Sequence, residues 1–171
     1  QMITGPIVGN LLSILIKSIK AKNILEVGMF TGYSAMTMAQ VLPDTGKIHT
    51  CEIMEEHIKT AKNFFAQSKH NNKIIIHDGP ALKTLETFKI NSFDLAFIDA
   101  DKINYLEYYK RSIQLVKSQG IIILDNMLWG GSVADPSSND NQTKTIRSLN
   151  VKIQKDERVD FSLLPISDGL S

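Results

Sequence analysis

Apolar and polar positions along this chain follow two rhythms in turn. Between residues 7 and 20, Val8, Leu11, Leu12, Leu15, Ile16 and Ile19 recur at the i, i+3, i+4 spacing of a helix with one buried face. Ile24-Leu25-Glu26-Val27 is a short β-type run that stops at Gly28. Tyr33 to Val41 then predicts a helix, closed by Pro43-Asp44-Thr45-Gly46. The alternation continues with a strand over Lys47–Glu52, a helix from about Glu55 to Ser68, and a strand over Lys73–His77. A helix near Ala81–Phe88, a strand over Phe93–Ile98 and a helix from about Lys102 to Val116 come next. The run Ile121-Ile122-Ile123-Leu124 is apolar on both faces, as a central parallel strand must be when helices cover both sides. Residues 130–142 (GGSVADPSSNDNQ) predict a loop, followed by a helix around Thr143–Gln154, a strand near Arg158–Leu164 and the start of another at the end. The order predicts an α/β fold: a doubly wound, mostly parallel sheet with right-handed crossovers, in a single domain over 1–171.

Charge and composition narrow the classes of partner. Nineteen Lys and Arg against eighteen Asp and Glu leave a formal charge of +1, and no Lys/Arg run stands out, so nucleic acid is not an expected partner. The apolar stretch Ile7–Ile19 is interrupted by Asn10, Ser13, Lys17 and Ser18, too short and too polar for a membrane span or a signal peptide. A single cysteine, Cys51, precludes an intrachain disulfide, and a reducing, cytoplasmic setting is expected. His49, His57, His70 and His77 have no zinc-type spacing and read as solvated or locally hydrogen-bonded. Gln1 and the terminal Leu170-Ser171 give the expectation of a natural protein that extends at both ends.

In open α/β sheets ligands bind beyond the carboxyl ends of the strands. Here those ends read Glu26-Val27-Gly28, Glu52, Asp78-Gly79, Asp99-Ala100-Asp101 and Asp125-Asn126. So many acids on one rim repel one another unless cations or hydroxyl groups occupy it. The first turn, Glu26-x-Gly28-x-x-x-Gly32-x-Ser34, has Phe30 where a dinucleotide turn needs glycine, which weakens a pyrophosphate ligand. Ser34 and the amides of a helix start suit a carboxylate. A plain strand–helix turn explains this motif equally well by itself. Glu52, 24 residues after Gly28, can accept from two ribose hydroxyls, although taken alone a solvent-exposed Glu explains it better, and Asp78-Gly79-Pro80-Ala81 can line an adenine, although a plain turn explains it almost as well.

Asp99 with Asp125-Asn126 is the sharper signal. Two carboxylates and a carboxamide at neighbouring strand ends form a hard oxygen set suited to Mg²⁺, with Ca²⁺ or Mn²⁺ as alternatives. Lys102 follows Asp99 by three residues, where a lysine near a metal and an apolar pocket can act as a general base; an ordinary surface lysine is the plain alternative. Trp129, the only tryptophan, walls a pocket or packs beneath a loop.

The segments ILEVGMFTGYSA (24–35), FDLAFIDADKINYLEYY (93–109), GIIILDNMLWGGSVADP (120–136) and ERVDFSLLPISDGL (157–170) resemble the cation-dependent O-methyltransferases, the group of caffeoyl-CoA O-methyltransferase, with catechol O-methyltransferase more distant. The likeness runs from about Met2 to Ser171. It implies a class I methyltransferase fold, Rossmann-like, with seven strands of which the last is antiparallel. By motif position it implies that Glu26, Gly28, Met29 and Ser34 contact the methionine part of S-adenosylmethionine, Glu52 the ribose and Ala81 the adenine. It also implies cofactor contacts for Asp99, Asp101 and Tyr108 and, on a looser match, Thr4. Asp99, Asp125 and Asn126 match metal ligands, and Lys102 with Asp99 the catalytic pair. Set against the family, the chain is expected to lack an extra N-terminal helical segment, which helps bind substrate and pair subunits, and the end of the last strand. A homodimer is expected from the resemblance.

These features lead to the expectation of methyl transfer from S-adenosylmethionine to a hydroxyl of a small catechol-like or phenylpropanoid-like aromatic. The rivals are a nicotinamide-dependent dehydrogenase, a nucleotide-binding module without turnover, and a methyltransferase acting on nitrogen or nucleic acid.

Overall fold

The computed structural model describes residues 4–171. Six helices alternate with five strands: α1 (Gly5–Ser18), β1 (Asn23–Val27), α2 (Tyr33–Val41), β2 (Lys47–Glu52), α3 (Glu55–Phe65), β3 (Ile74–Asp78), α4 (Ala81–Thr87), β4 (Phe93–Ile98), α5 (Tyr105–Leu115), β5 (Val116–Leu124) and α6 (Asn141–Gln154). The strands form one sheet in the order β3-β2-β1-β4-β5, and every pairing is parallel. The chain runs outward from β1 to β3 and then returns to the other side of β1. The carboxyl ends of β1 and β4 therefore flank the point where the winding reverses, the place at which such sheets open a crevice.

Side-chain alternation divides the core into two layers. Ile24, Ile48, Leu95, Phe97 and Ile123 point to one face, where Val8, Leu12 and Ile16 of α1 and Met38 and Ala39 of α2 cover them. Leu25, Val27, Ala96, Ile98 and Leu124 point to the other, against the tyrosines of α5 and Ile146, Leu149 and Ile153 of α6. This two-sided cover is why β4 and the end of β5 read as continuous apolar runs. Local chemistry sets several element starts. Pro6 occupies the first turn of α1, and Asp140 caps α6 by accepting from the Thr143 amide at 2.9 Å.

The predicted elements and the observed ones differ in three places. Five strands, not seven, form the sheet among the described residues. The strand expected near Arg158–Leu164 is extended chain without a ladder; only Leu164 pairs, in an antiparallel bridge to Leu170. The predicted terminal strand is likewise represented by backbone pairing alone, with Leu124 and Ser171 exchanging amide–carbonyl bonds of 2.8 and 3.0 Å. A strand is defined by its partner's hydrogen bonds, which an apolar run cannot supply for itself. Third, β5 begins at Val116, five residues before the expected Ile121. Val116 pairs with Phe93 and Ile121 with Leu95, so the intervening residues bulge out. Gln119 takes a positive φ of 66° within that bulge.

Candidate active site

The ladders continue past the strand ends. The Asp99 amide donates to the Val27 carbonyl at 2.8 Å and the Asp125 amide to the Ile98 carbonyl at 2.9 Å. Gly28, Asp99 and Asp125 are thereby carried into line along three adjacent strand tips. Gly28 has φ of 97°, and a β-carbon there would lie 2.0 Å from the Asp99 carbonyl oxygen. Glycine at 28 is thus required by the packing of β1 against β4. Gly32 answers a different neighbour, since a β-carbon on it would strike the Phe65 ring at 2.4 Å. It seats α2 against α3 and does not border the cleft.

Above these tips opens a cleft of about 900 Å³. Thr4, Gly28, Met29, Ser34, Glu52, Ala81, Asp99, Asp101 and Tyr108 line it, as do Lys102, Asp125 and Asn126. Glu26 is the one candidate that does not. Period-two alternation turns its side chain onto the α2 face, fully buried opposite Thr50, whose hydroxyl donates to it. Its other carboxylate oxygen has no hydrogen-bond partner. Burial pushes the Glu26 carboxyl up to about 7 against the lowering influence of the nearby Ser34 and Thr50 hydroxyls, and the Asp99 and Glu52 charges add to the rise.

The β1–β2 half of the cleft is prepared by main-chain donors. Glu52 Oε1 accepts from the Ile53 and Met54 amides at 2.9 Å, and Oε2 from the Phe30 amide at 2.8 Å. Three amides hold this carboxylate in place at the cleft wall and leave it acceptor capacity on the cleft side. Phe30, at φ of 50°, turns its amide to Glu52 and its ring edge-on to His57, with centroids 4.6 Å apart. At the start of α2 no side chain caps the first turn, so its amides are not engaged by a capping side chain.

The β4–β5 half is electrostatically loaded. Lys102 is 7% exposed; it contacts Asp99 Oδ1 at 3.3 Å and donates to the Tyr105 hydroxyl, which itself donates to the Asp125 carbonyl at 3.1 Å. Burial pulls the Lys102 ammonium below its ordinary value, although Asp99, Asp125 and Asp168 oppose the shift. Burial, reinforced by the Asp99 charge, pushes the Asp125 carboxyl up to about 6. Asn126 stands at a left-handed φ of 60°, a conformation asparagine tolerates, and its amide donates to Asp125 Oδ1 at 2.7 Å. Tyr108 and Asn104 each donate to Asp101 at 2.6 Å. Among the described residues no group of three or more His, Cys, Asp or Glu is arranged to hold a metal ion. Two carboxylates and the Asn126 carboxamide are the donors that could, and the rise that burial and the Asp99 charge impose on Asp125 is the kind a cation relieves.

Sequence reasoning missed several neighbours. Tyr33, Cys51, Ile53, Asn104, Ser167 and Asp168 line the cleft, and so does His57, which had read as a solvated or locally bonded residue. Asp168 accepts from the Gly130 amide across 38 residues of chain, and an acid beside a glycine in ISDGL was its available signal. Trp129 serves both roles offered for it, lining the cleft and packing against the α5–α6 core. His49 Nδ1 and His77 Nε2 share a hydrogen bond of 2.9 Å between β2 and β3, away from the cleft, a contact across 28 residues and not the local one expected.

An open parallel sheet in the order 3-2-1-4-5, with Gly28 at the β1 tip and acids at the β2, β4 and β5 tips around one crevice, has the architecture of class I methyltransferases. The family described as O-methyltransferase matches residues 1–171. Caffeoyl-CoA O-methyltransferase 1 of Eucalyptus globulus is 40% identical over 181 residues, covering 99% of this chain and 73% of that protein. The mouse catechol O-methyltransferase domain-containing protein 1 is 40% identical over 94% of this chain, which spans 63% of the mouse protein's length. An O-methyltransferase from Bacillus cereus, solved in complex with SAH, superposes with a TM-score of 0.91 at 32% identity, over 99% of this chain and 80% of that one. The chain belongs to the O-methyltransferase family.

Proposed function

We propose that the protein transfers the methyl group of S-adenosylmethionine to a hydroxyl of a small catechol-like or phenylpropanoid-like aromatic, with a divalent cation, Mg²⁺ first among the candidates. The observation that carries the reading is the adjacency of the Gly28, Asp99 and Asp125 tips in one cleft, with the amide-held Glu52 on one side and the hard oxygen donors on the other. S-adenosylhomocysteine in the B. cereus relative supports the choice of cofactor.

Asp99, Asp125 and Asn126 would hold the cation, which when bound supplies Lewis-acid stabilisation of a developing phenolate. The acceptor oxygen attacks the methyl carbon, an O–C bond forms as the S–C bond breaks, and the electron pair remains on sulfur as a neutral thioether. The hydroxyl proton leaves to Lys102, whose burial favours the neutral amine able to accept it. Glu52 and the first turn of α2 hold the cofactor while the β4–β5 tips hold the acceptor, and this positioning supplies much of the acceleration. The same proposal takes the working form as a cytoplasmic homodimer, checked by light scattering and by fractionation.

The test is methyl transfer to catechol from S-adenosylmethionine, with Mg²⁺ and with a chelator. Turnover that vanishes with the chelator and returns with Mg²⁺ is expected. Undiminished turnover without metal removes the cation from the reaction, and cofactor binding with no transfer to any diphenol removes the acceptor class.

A further inference from the structure

The segment that presents Trp129 to the cleft is irregular and strained. Trp129, Gly130 and Gly131 have successive φ values of 50°, 59° and 85°, and a left-handed tryptophan persists only where its surroundings impose it. Two side chains one turn apart on α6 hold this segment. Asn150 donates to the Met127 carbonyl at 3.0 Å, ahead of Trp129. Arg147, which does not border the cleft, reaches the far side: Nε donates to the Val133 carbonyl at 3.0 Å, and one terminal nitrogen to the carbonyls of Ser132, Asp135 and Ser138 at 3.1, 2.9 and 3.3 Å. Four carbonyls of one loop thus converge on a single half-buried guanidinium. The planar fork that makes this possible has no equivalent in another side chain.

We propose that Arg147 is a positioning residue for the methyl acceptor: by gathering the 132–138 carbonyls it fixes the loop and so holds Trp129 as the wall of the acceptor half of the cleft. The Trp129 ring, 5.7 Å from the Lys102 ammonium, is the side chain through which it acts. This rests on the reading of the cleft as a methyl-transfer site. The cofactor half lies over β1 and β2, which Arg147 does not touch, so loss of the clamp acts on acceptor binding and spares the cofactor.

Trp129 is the only tryptophan, so emission excited selectively at tryptophan, beyond the absorption of the four tyrosines, reports this loop alone. Arg147→Gln and Arg147→Lys are compared with the unmodified protein for emission maximum, acrylamide quenching, steady-state kinetics with catechol and calorimetric binding of S-adenosylhomocysteine. In both variants the emission shifts to the red and quenching rises about twofold. KM for catechol rises about tenfold, the scale of losing charged hydrogen bonds, while homocysteine-analogue affinity stays within about twofold. Wild-type fluorescence and wild-type KM in either folded variant overturn the proposal. So does a parallel loss of acceptor and cofactor binding, which marks general unfolding. Hydrogen exchange on the unmodified protein needs no variant to fold: slowed exchange across 129–138 supports the clamp, and exchange as fast as an unstructured peptide overturns it. If the unmodified protein methylates no diphenol, the proposed acceptor class fails, and the fluorescence and exchange arms still decide whether Arg147 holds the loop.

Discussion

The two halves of the cleft are built on opposite electrostatic principles. Over β1 and β2, three amides already donate to the Glu52 carboxylate at 2.8 to 2.9 Å. Over β4 and β5, Asp99 and Asp125 face each other across adjacent strand tips with one half-compensating lysine, and the Asp125 carboxyl rises to about 6. The first half is preorganised by its amides. In the second, a bound cation would relieve the repulsion between the two carboxylates. The lesson is that a rim of acids does not have a single purpose: the donors already around each carboxylate decide what it can still attract.

Gly28→Ala is the most damaging way to break this division, because Gly28 joins the halves. Its β-carbon would meet the Asp99 carbonyl at 2.0 Å. The expected loss is about 3 to 4 kcal/mol of stability, read by urea denaturation, and activity falls with it. Asp125→Ala acts on the second half alone. Turnover of catechol drops on the order of 100-fold or more while S-adenosylhomocysteine affinity is kept, and equal loss of both would erase the distinction between halves. Glu52→Gln is the mirror experiment, in which calorimetric cofactor affinity weakens about tenfold and KM for catechol does not move.

Two smaller effects sharpen the comparison through pH. The Glu26 carboxyl, lifted from an ordinary 4.5 to about 7 by burial, contributes stability that is complete below 4.5 and is lost as pH rises through 7. Glu26→Gln should therefore stabilise the cofactor-free protein by about 1 kcal/mol at pH 8 and leave it unchanged near pH 4. Thermal melts at the two pH values check the sign. Smallest is the effect of the His49–His77 pair. Burial, joined at His49 by the charges of His77 and Lys47, holds both rings below the ordinary 6.5. Their contribution is whole above 6.5 and declines as pH falls below it, because the unfolded chain takes up protons first. His77→Leu flattens that limb of the stability curve without touching either half of the cleft.

Much of this was readable from the chain. The limits of α2, β2 and β4 agree with the apolar pattern residue for residue, because each is bounded by a glycine, a proline turn or a charged flank. Asp99, Asp125 and Asn126 were readable because parallel strands deliver their last residues to one rim. Glu26 was legible as an acid near the end of a strand but not as a buried one. Its face depends on which side of β1 receives α2, and its neighbour Thr50 comes from another strand. Arg147 was not legible and Asp168 only as an acid beside a glycine, since they act through contacts at sequence separations of 9 to 15 and of 38 respectively.

The sequence by itself determined the alternation of strands and helices, and hence which polar residues stand at strand ends, because side-chain periodicity and turn chemistry are local properties. Tertiary structure alone decided the order 3-2-1-4-5, the five-strand count, and which acids are shielded by amides and which confront one another. Those outcomes depend on pairings between distant segments, and the strength of a charge depends on the donors and the burial that such pairings bring to it.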